Sequence, residues 1–394
     1  MNNTPQIRFK GYSDAWVQRR LGDVTEHFEY GLNAAAKDFD GTHKYIRITD
    51  IDDNLRHFNE DNLTSPDINF ATADSYLLKQ GDILFARTGA SVGKTYIHKN
   101  AESHVYFAGF LIRARISDKH IPEFIYQNTL TKNYSAFIKV MSQRSGQPGV
   151  NAQEYASYSL GVPNTEEQKK LGQFFRTLDT AITLSQRKLD GLRRLKAAYL
   201  QQMFPQAGER VPRVRFAGFD GEWKETRIGD IFEVTRGQVL AATKVSAEKD
   251  DVNAYPVYSS QTKNNGLLGY YVDFLFDTAI TWTTDGANAG TVNFREGKFY
   301  STNVNGVLLS KDGFANRCIA EALNMVAWKY VSKVGNPKLM NNIMAEIMIS
   351  APPLSEQIVI GNLFKSIDDQ LVSQAQKIVQ LKRLKAAYLQ KMFV

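Results

Sequence analysis

Residues 166–204 read EEQKKLGQFFRTLDTAITLSQRKLDGLRRLKAAYLQQMF, with apolar side chains at Leu171, Phe175, Leu178, Ile182, Leu189 and Leu192. The intervals are 4, 3, 4, 7 and 3 residues, a heptad seam with one polar visitor, Ser185. The C-terminus repeats it: residues 356–393 read EQIVIGNLFKSIDDQLVSQAQKIVQLKRLKAAYLQKMF. A shift of 189 positions carries Phe175, Leu178, Ile182, Leu189 and Leu192 onto Phe364, Ile367, Leu371, Ile378 and Leu381, and Ser185 onto Gln374. Eight residues, RLKAAYLQ, are identical at 194–201 and 383–390. The pattern predicts two long helices paired along one seam, with Ser185 facing Gln374 and fixing register. Each would run roughly 57 Å at 1.5 Å per residue. The plainer alternative is two surface helices on separate cores.

The repeat extends beyond the helices. Pro5-Gln-Ile-Arg-Phe9, Trp16 and Leu21-Gly-Asp23 return 207 residues later as Pro212-Arg-Val-Arg-Phe216, Trp223 and Ile228-Gly-Asp230. The order is therefore unit, helix, unit, helix, the product of a tandem duplication. We place a first globular domain at 1–162, a central helix at 163–205, a second globular domain at 206–351 and a C-terminal helix at 352–394.

Composition bounds the function. The chain has 394 residues, a formal net charge of +7 and a pI near 9.1, which favours an acidic partner such as nucleic acid. A single cysteine, Cys318, excludes a disulfide scaffold, and no run of 18 apolar residues occurs. These features predict a soluble cytoplasmic protein without a membrane partner.

Within the first domain, Tyr45–Thr49 alternates as a strand, Tyr76–Arg87 reads as strand, Gly81-Asp82 turn and strand, Val105–Ile116 is strand-rich, and 121–139 has helical spacing. In the second, strands are expected around 271–283 and over 299–309, with a helix over 314–330. Both domains read as mixed sheets with a few helices.

Gly89-Ala-Ser-Val-Gly-Lys-Thr95 follows a strand and mimics a phosphate-binding loop, but the pattern needs glycine where Thr88 stands. Its repeat, Asp285-Gly-Ala-Asn-Ala-Gly-Thr291, keeps the glycines at 286 and 290 and has Thr291 in place of Lys94. The expected role is a glycine-framed turn that presents different side chains in each copy to the same kind of target. No metal or catalytic site emerges: the six histidines lie between His27 and His120 without ligand spacing to one another or to Cys318. Glu296-Gly-Lys298 with Asp285 copies part of a nuclease triad and has no counterpart in the first domain. No Asn or Asp precedes a Pro-Pro-aromatic run, so base methylation by this chain is not expected.

Polar loops supply candidate DNA-contacting residues, since Arg and Lys pair with guanine and Asn and Gln with adenine. In the first domain these are Arg87, Ser91, Lys94, Thr95, Gln143, Arg144 and Gln147. In the second they are Ser259, Gln261, Thr262, Lys263, Asn264, Asn265, Thr284, Asn288 and Lys338.

The chain resembles, over nearly its whole length, the specificity subunit of bacterial type I restriction–modification enzymes. The resemblance rests on Trp16–Asp23 with Trp223–Asp230, on Pro163 with Glu166-Glu-Gln168, on Pro353 with Glu356-Gln357, and on the two RLKAAYLQ helix ends. Gly81–Leu84, Gly89–Thr95, Tyr255–Gly266 and Thr281–Thr291 add recognition-domain landmarks. It implies an α+β fold with two mixed α/β recognition domains in pseudo-twofold arrangement, separated by two long antiparallel coiled-coil helices. It implies a non-catalytic subunit that binds double-stranded DNA, reads a bipartite asymmetric site and carries two modification subunits, with restriction/translocase subunits joining for cleavage. S-adenosylmethionine, ATP and magnesium would belong to those partners, with no cofactor bound here. The helices are then expected to set the gap between half-sites. A duplicated coiled-coil scaffold binding only protein is the alternative, and a stand-alone nuclease a third.

Overall fold

The computed structural model describes residues 4–100, 104–143, 147–260 and 263–394. It resolves the chain into two compact units, residues 1–187 with 375–394 and residues 188–374, so each long helix contributes one part to each unit. The helices span Thr165–Gln202 and Leu354–Met392. All thirteen seam positions, Leu171 to Leu192 and Phe364 to Leu381, are buried or half-buried, Ser185 and Gln374 included.

The same contacts close both units, with the helices exchanging roles. In unit 1, Phe175 of the central helix meets Phe393 at 5.4 Å, and Trp16 stands edge-on to Phe393. In unit 2, Phe364 of the C-terminal helix meets Phe204 at 5.9 Å, and Trp223 stands edge-on to Phe204. The ion pair Lys385–Asp179 (2.5 Å) in unit 1 matches Lys196–Asp368 (2.9 Å) in unit 2. Since 179 pairs with 385 and 174 with 388, the helix segments run antiparallel within unit 1, and the pairs 196–368 and 204–364 show the same in unit 2.

The helix starts explain the Glu-Gln signature. Glu167 is fully buried and takes both oxygens to Arg8, at 2.7 and 2.8 Å; Glu356 does the same to Arg215, at 2.7 and 2.7 Å. Planar forks matched to carboxylates give strong, directional pairs. Gln168 donates to the Pro163 carbonyl at 2.8 Å and Gln357 to the Pro352 carbonyl at 2.7 Å, so each side chain ties the helix start to the turn that leads into it. The repeated Pro-x-x-Arg-Phe-like lead-in is thus an arm clamped to a helix N-terminus.

Each unit also opens and closes in one antiparallel ribbon: Val17–Arg20 with Ser159–Val162, and Lys224–Arg227 with Met348–Ala351. Between these ends, unit 1 carries β1 (Thr25–Tyr30), β2 (Lys44–Ile46), β3 (Ile83–Ala86), β4 (Thr95–Ile97), β5 (Val105–Phe107) and β6 (Leu111–Ile116). β1, β6, β3 and β4 form one sheet in that order, and β2 pairs parallel with β5. Unit 2 carries β7 (Glu233–Arg236), β8 (Tyr255–Tyr258), β9 (Leu267–Tyr271), β10 (Phe276–Thr283), β11 (Val292–Ser301) and β12 (Asn305–Leu309), ordered β7-β12-β10-β11-β8-β9. The apolar faces pack on short helices: Phe85 and Ile112 with Phe124, Tyr134 and Tyr155 in unit 1, Trp282 and Leu308 with Ile319 and Leu323 in unit 2.

Four local expectations are corrected. The span 121–139 is two helices, Pro122–Asn128 and Lys132–Met141, because the Thr129 and Thr131 hydroxyls bond the carbonyls of Tyr126 and Asn128 and Thr131 caps the second helix. The stretch 76–80 forms no strand: Leu77 makes one isolated bridge to Tyr106 after a 3-10 turn at Asp74–Tyr76. The 45–49 strand stops at Ile46, where Asp50 accepts from the Arg47 backbone and side chain and turns the chain. Helix 314–330 is α over Arg317–Val326 and 3-10 over Ala327–Tyr330.

Histidine gives unit 1 alone a weakness to acid. Burial holds His98 and His120 below the ordinary 6.5, and unit 2 contains no histidine. A depressed histidine pKa contributes stability that is full above about pH 6.5 and lost as pH falls through the folded value, because the unfolded state binds the proton first. The protection of unit 1 amides, relative to their intrinsic exchange rate, should therefore fall below pH 6.5, and His98→Asn should flatten that fall. An identical acid response in the variant would contradict it.

Candidate nucleic-acid interface

The two glycine loops are one backbone frame used twice. Both connect antiparallel strands, β3 to β4 and β10 to β11, so neither opens a helix as a nucleotide-binding loop does. Gly93 N donates to the Ala86 carbonyl at 3.0 Å, and Gly290 N to Thr283 at 2.9 Å. Gly89 N donates to the Pro148 carbonyl at 3.0 Å, and Gly286 N to Pro337 at 2.9 Å. Pro337 thereby stands in unit 2 where Pro148 stands in unit 1.

Left-handed backbone makes glycine necessary at both ends, with φ of +72° and +82° at Gly89 and Gly93, and +94° and +85° at Gly286 and Gly290. A Cβ on Gly290 would also lie 2.7 Å from the Val331 side chain, whereas one on Gly286 would meet nothing within 4 Å. Gly286→Ala is therefore expected to cost about 1 kcal/mol, from backbone strain alone. Gly290→Ala should cost about 2–3 kcal/mol, since overpacking adds to strain. Equal melting losses in the two variants would contradict this frame.

The frame sorts the sequence candidates. Arg87 is half-buried where β3 enters the loop, with its guanidinium 4.9 Å from the Tyr30 ring centroid. It borders a cleft of about 720 Å³ together with Tyr30, Asn33, Arg47, Thr49 and Phe110. Phe110 is 64% exposed at this rim. Ser91 is half-buried in the loop turn. Gln143 and Gln147 are exposed, and the Gln147 amide approaches Gly89. Lys94 and Thr95 are buried: Lys94 pairs with Asp53 and donates to the Ile51 carbonyl at 3.0 Å, and Thr95 bonds Thr129 at 2.7 Å. Both side chains are engaged inside the unit.

In unit 2, Ser259, Asn265 and Asn288 line one small cavity. Asn264 and Asn265 adopt left-handed backbone, φ +51° and +52°, at the exposed turn before Gly266. Thr284 is buried, its hydroxyl within hydrogen-bond distance of the Asp285 carboxylate (2.7 Å) and the Val304 carbonyl (2.9 Å). Lys338 is exposed and lies 3.7 Å from Asp285. Arg144, Gln261 and Thr262 lie outside the described residues, and of Lys263 only the backbone turn is described. Glu296 pairs with Lys365 at 2.8 Å on an exposed surface, and among the described residues no three His, Cys, Asp or Glu side chains gather as a metal site.

The sequence reading missed Tyr30, Asn33, Arg47 and Phe110. Backbone hydrogen bonds identify their counterparts: Gly31 N to Leu111 and Gly237 N to Asn305, Arg87 N to Phe110 and Thr284 N to Val304. With the strand registers, Tyr30, Asn33, Arg47, Arg87 and Phe110 correspond to Arg236, Val239, Ser259, Thr284 and Val304. One scaffold therefore presents two arginines, two aromatic rings and an amide in unit 1, and one arginine with hydroxyl and aliphatic groups in unit 2. Duplicated loops on duplicated sheets, differing in their polar chemistry and joined to paired helices, give two surfaces of one frame suited to two different sequences.

Comparison with known proteins agrees. The type I restriction modification DNA specificity domain matches residues 13–194 and again 220–383. A putative type I specificity subunit N-terminus from Mycoplasma pneumoniae is 41% identical over 127 residues, covering 32% of this chain and 66% of that protein. A second putative type I specificity subunit from that organism is 30% identical over 241 residues, covering 60% of this chain and 94% of that protein. The crystal structure of a type I restriction–modification S subunit from M. genitalium superposes with a TM-score of 0.75 at 14% identity, over 99% of both chains, and supports the fold. The chain belongs to the type I restriction–modification DNA specificity family. It serves as a DNA sequence-recognition subunit and is not itself catalytic.

Proposed function

We propose that the two units read two different half-sites of one bipartite, asymmetric DNA sequence, unit 1 through the cleft beside Arg87 and unit 2 through the loops at 259–266 and 284–290. The observation that carries this is the preserved loop frame with exchanged side chains: the same backbone bonds, but Arg87 and Phe110 in one copy and Thr284 and Val304 in the other. Identical readers would give a symmetric site. The paired helices carry two modification subunits, which methylate adenine with S-adenosylmethionine, and restriction/translocase subunits using ATP and magnesium join the same assembly in the cytoplasm. Exposed apolar side chains on the helices, among them Leu184, Val372, Val379 and Leu384, support a docking role. Methylome sequencing of a host with and without this gene tests the reading. A split, non-palindromic modified motif that depends on the gene is the expected result, and a palindrome would contradict two diverged readers.

A further inference from the structure

Unit 2 buries one arginine that the fold does not need. Arg295, in β11, is 6% exposed. Its Nε donates to the Thr281 hydroxyl at 3.1 Å, and its guanidinium carbon lies 3.7 Å from the Tyr258 ring centroid. Among the described residues no carboxylate pairs with it. Of the acids that share the neighbouring cleft with it, Asp368 pairs with Lys196 and Arg317 and Glu321 with Lys196, while Asp369 is exposed to solvent. A buried cation without a counter-ion is costly unless an anion arrives. Burial lowers its pKa to about 10, which leaves it charged at neutral pH.

The space beside it is polar. Ser259, Thr283, Asn288 and Asn293 line, with Arg295, a cavity of about 120 Å³. That is room for several non-hydrogen atoms, since about 10–15 Å³ of such volume holds a water. The duplicate supplies a control. The strand registers place Ile46, Leu84, Tyr96 and His98 of unit 1 where unit 2 has Tyr258, Thr281, Asn293 and Arg295. In unit 1 that face is packed, with Ile46, Leu84 and Tyr96 in one apolar cluster and the Tyr96 hydroxyl bonded to His98. The same sheet therefore folds with this place filled, so the polar pocket is not a requirement of the fold.

We infer that the Arg295 pocket seats a single phosphate group of the DNA backbone and anchors unit 2 on its half-site. The inference rests on the DNA-reading function proposed above. A base edge inside a duplex lies deep in its groove and does not reach into a cavity of this size, whereas phosphate oxygens project from the helix surface. The guanidinium fork matches two such oxygens, and the hydroxyl and amide groups take the remainder. Asn288 belongs to the glycine-framed loop, so anchor and reading loop are built into one element.

The test uses the reconstituted complex with wild-type chain, Arg295→Met and Arg295→Lys, retaining a duplex with the modified motif and an unrelated duplex over a range of salt. Arg295→Met should weaken both duplexes by the same factor and reduce the salt slope by about one, with the methylated motif unchanged. Arg295→Lys, which keeps the charge and loses the fork, should keep the slope with an intermediate loss. Inorganic phosphate, exchanged for chloride at constant ionic strength, should inhibit the wild type more than Arg295→Met. Relaxed preference at one motif position would make Arg295 a base reader and overturn the proposal. So would unchanged retention with a lowered melting temperature, or equal inhibition by phosphate. Failure of the wild-type complex to retain any duplex would instead remove the DNA-reading function itself.

Discussion

Glu356→Ala is expected to remove about 3–5 kcal/mol from the stability of unit 2 while leaving unit 1 intact, the usual cost of stranding one partner of a buried pair. Glu356 is fully buried and takes both oxygens to Arg215, whose remaining Nη1 holds the Gly221 carbonyl at 2.6 Å. Removing the carboxylate leaves the guanidinium half enclosed, with its arm loosened from the helix start. That arm also positions Trp223 against Phe204, so the loss should reach the packing between the helix segments of unit 2. Glu167→Ala should do the same to unit 1 through Arg8. Replacing both members, Arg215→Met with Glu356→Met, should recover most of the loss, because no charge is then buried. Amide exchange resolves the units separately. A loss below about 1 kcal/mol, the value of a surface pair, would contradict the clamp.

Arg87→Ala is expected to relax the first half-site at one position and leave the second half-site unchanged. A lost bidentate contact to a base costs about 1–3 kcal/mol against the correct sequence. The side chain is held from one side by the Tyr30 ring and opens to the cleft, where Phe110 is exposed. Among the described residues its side chain donates only to the Gly109 carbonyl, at a long 3.4 Å and through a single Nη. Arg47 in the same cleft is different, since Asp50 already takes its Nε and Nη2. Arg47→Ala should disturb the loop more than the sequence preference. A competition panel of duplexes, each changed at one position, separates these outcomes. Uniform weakening on Arg87→Ala would make it a phosphate contact.

The sequence made the architecture legible because its strongest signals are periodic or repeated. Heptad spacing exposes the helices, and the recurrence of Arg8, Trp16 and Glu167 as Arg215, Trp223 and Glu356 exposes two units. The glycine loops were legible for the same reason, since left-handed positions at 89, 93, 286 and 290 admit few other residues. The site was less so. Lys94 and Thr284 look like polar loop residues in sequence, and only packing shows that each spends its side chain internally. Arg295 sits in the strand run Val292–Ser301, where an arginine reads as an outward-facing charge. Tyr30 and Phe110 fall outside the polar clusters, so a search for donors and acceptors passes over them. Arg47 interrupts an apolar alternation, and that interruption was the one available signal.

The most direct test of the account is the methylated motif made by a chimaera in which residues 21–158 come from another family member and the rest of this chain, including both ribbons and both helices, is kept. The lead-in clamps, ribbons and helix contacts recur in both units, so the reading parts are expected to exchange while the frame stays folded. The account predicts a new first half-site, an unchanged second half-site and continued methylation. A folded, active chimaera whose motif is unchanged, or changed in both halves, would contradict the claim that each unit reads its own half of the DNA site.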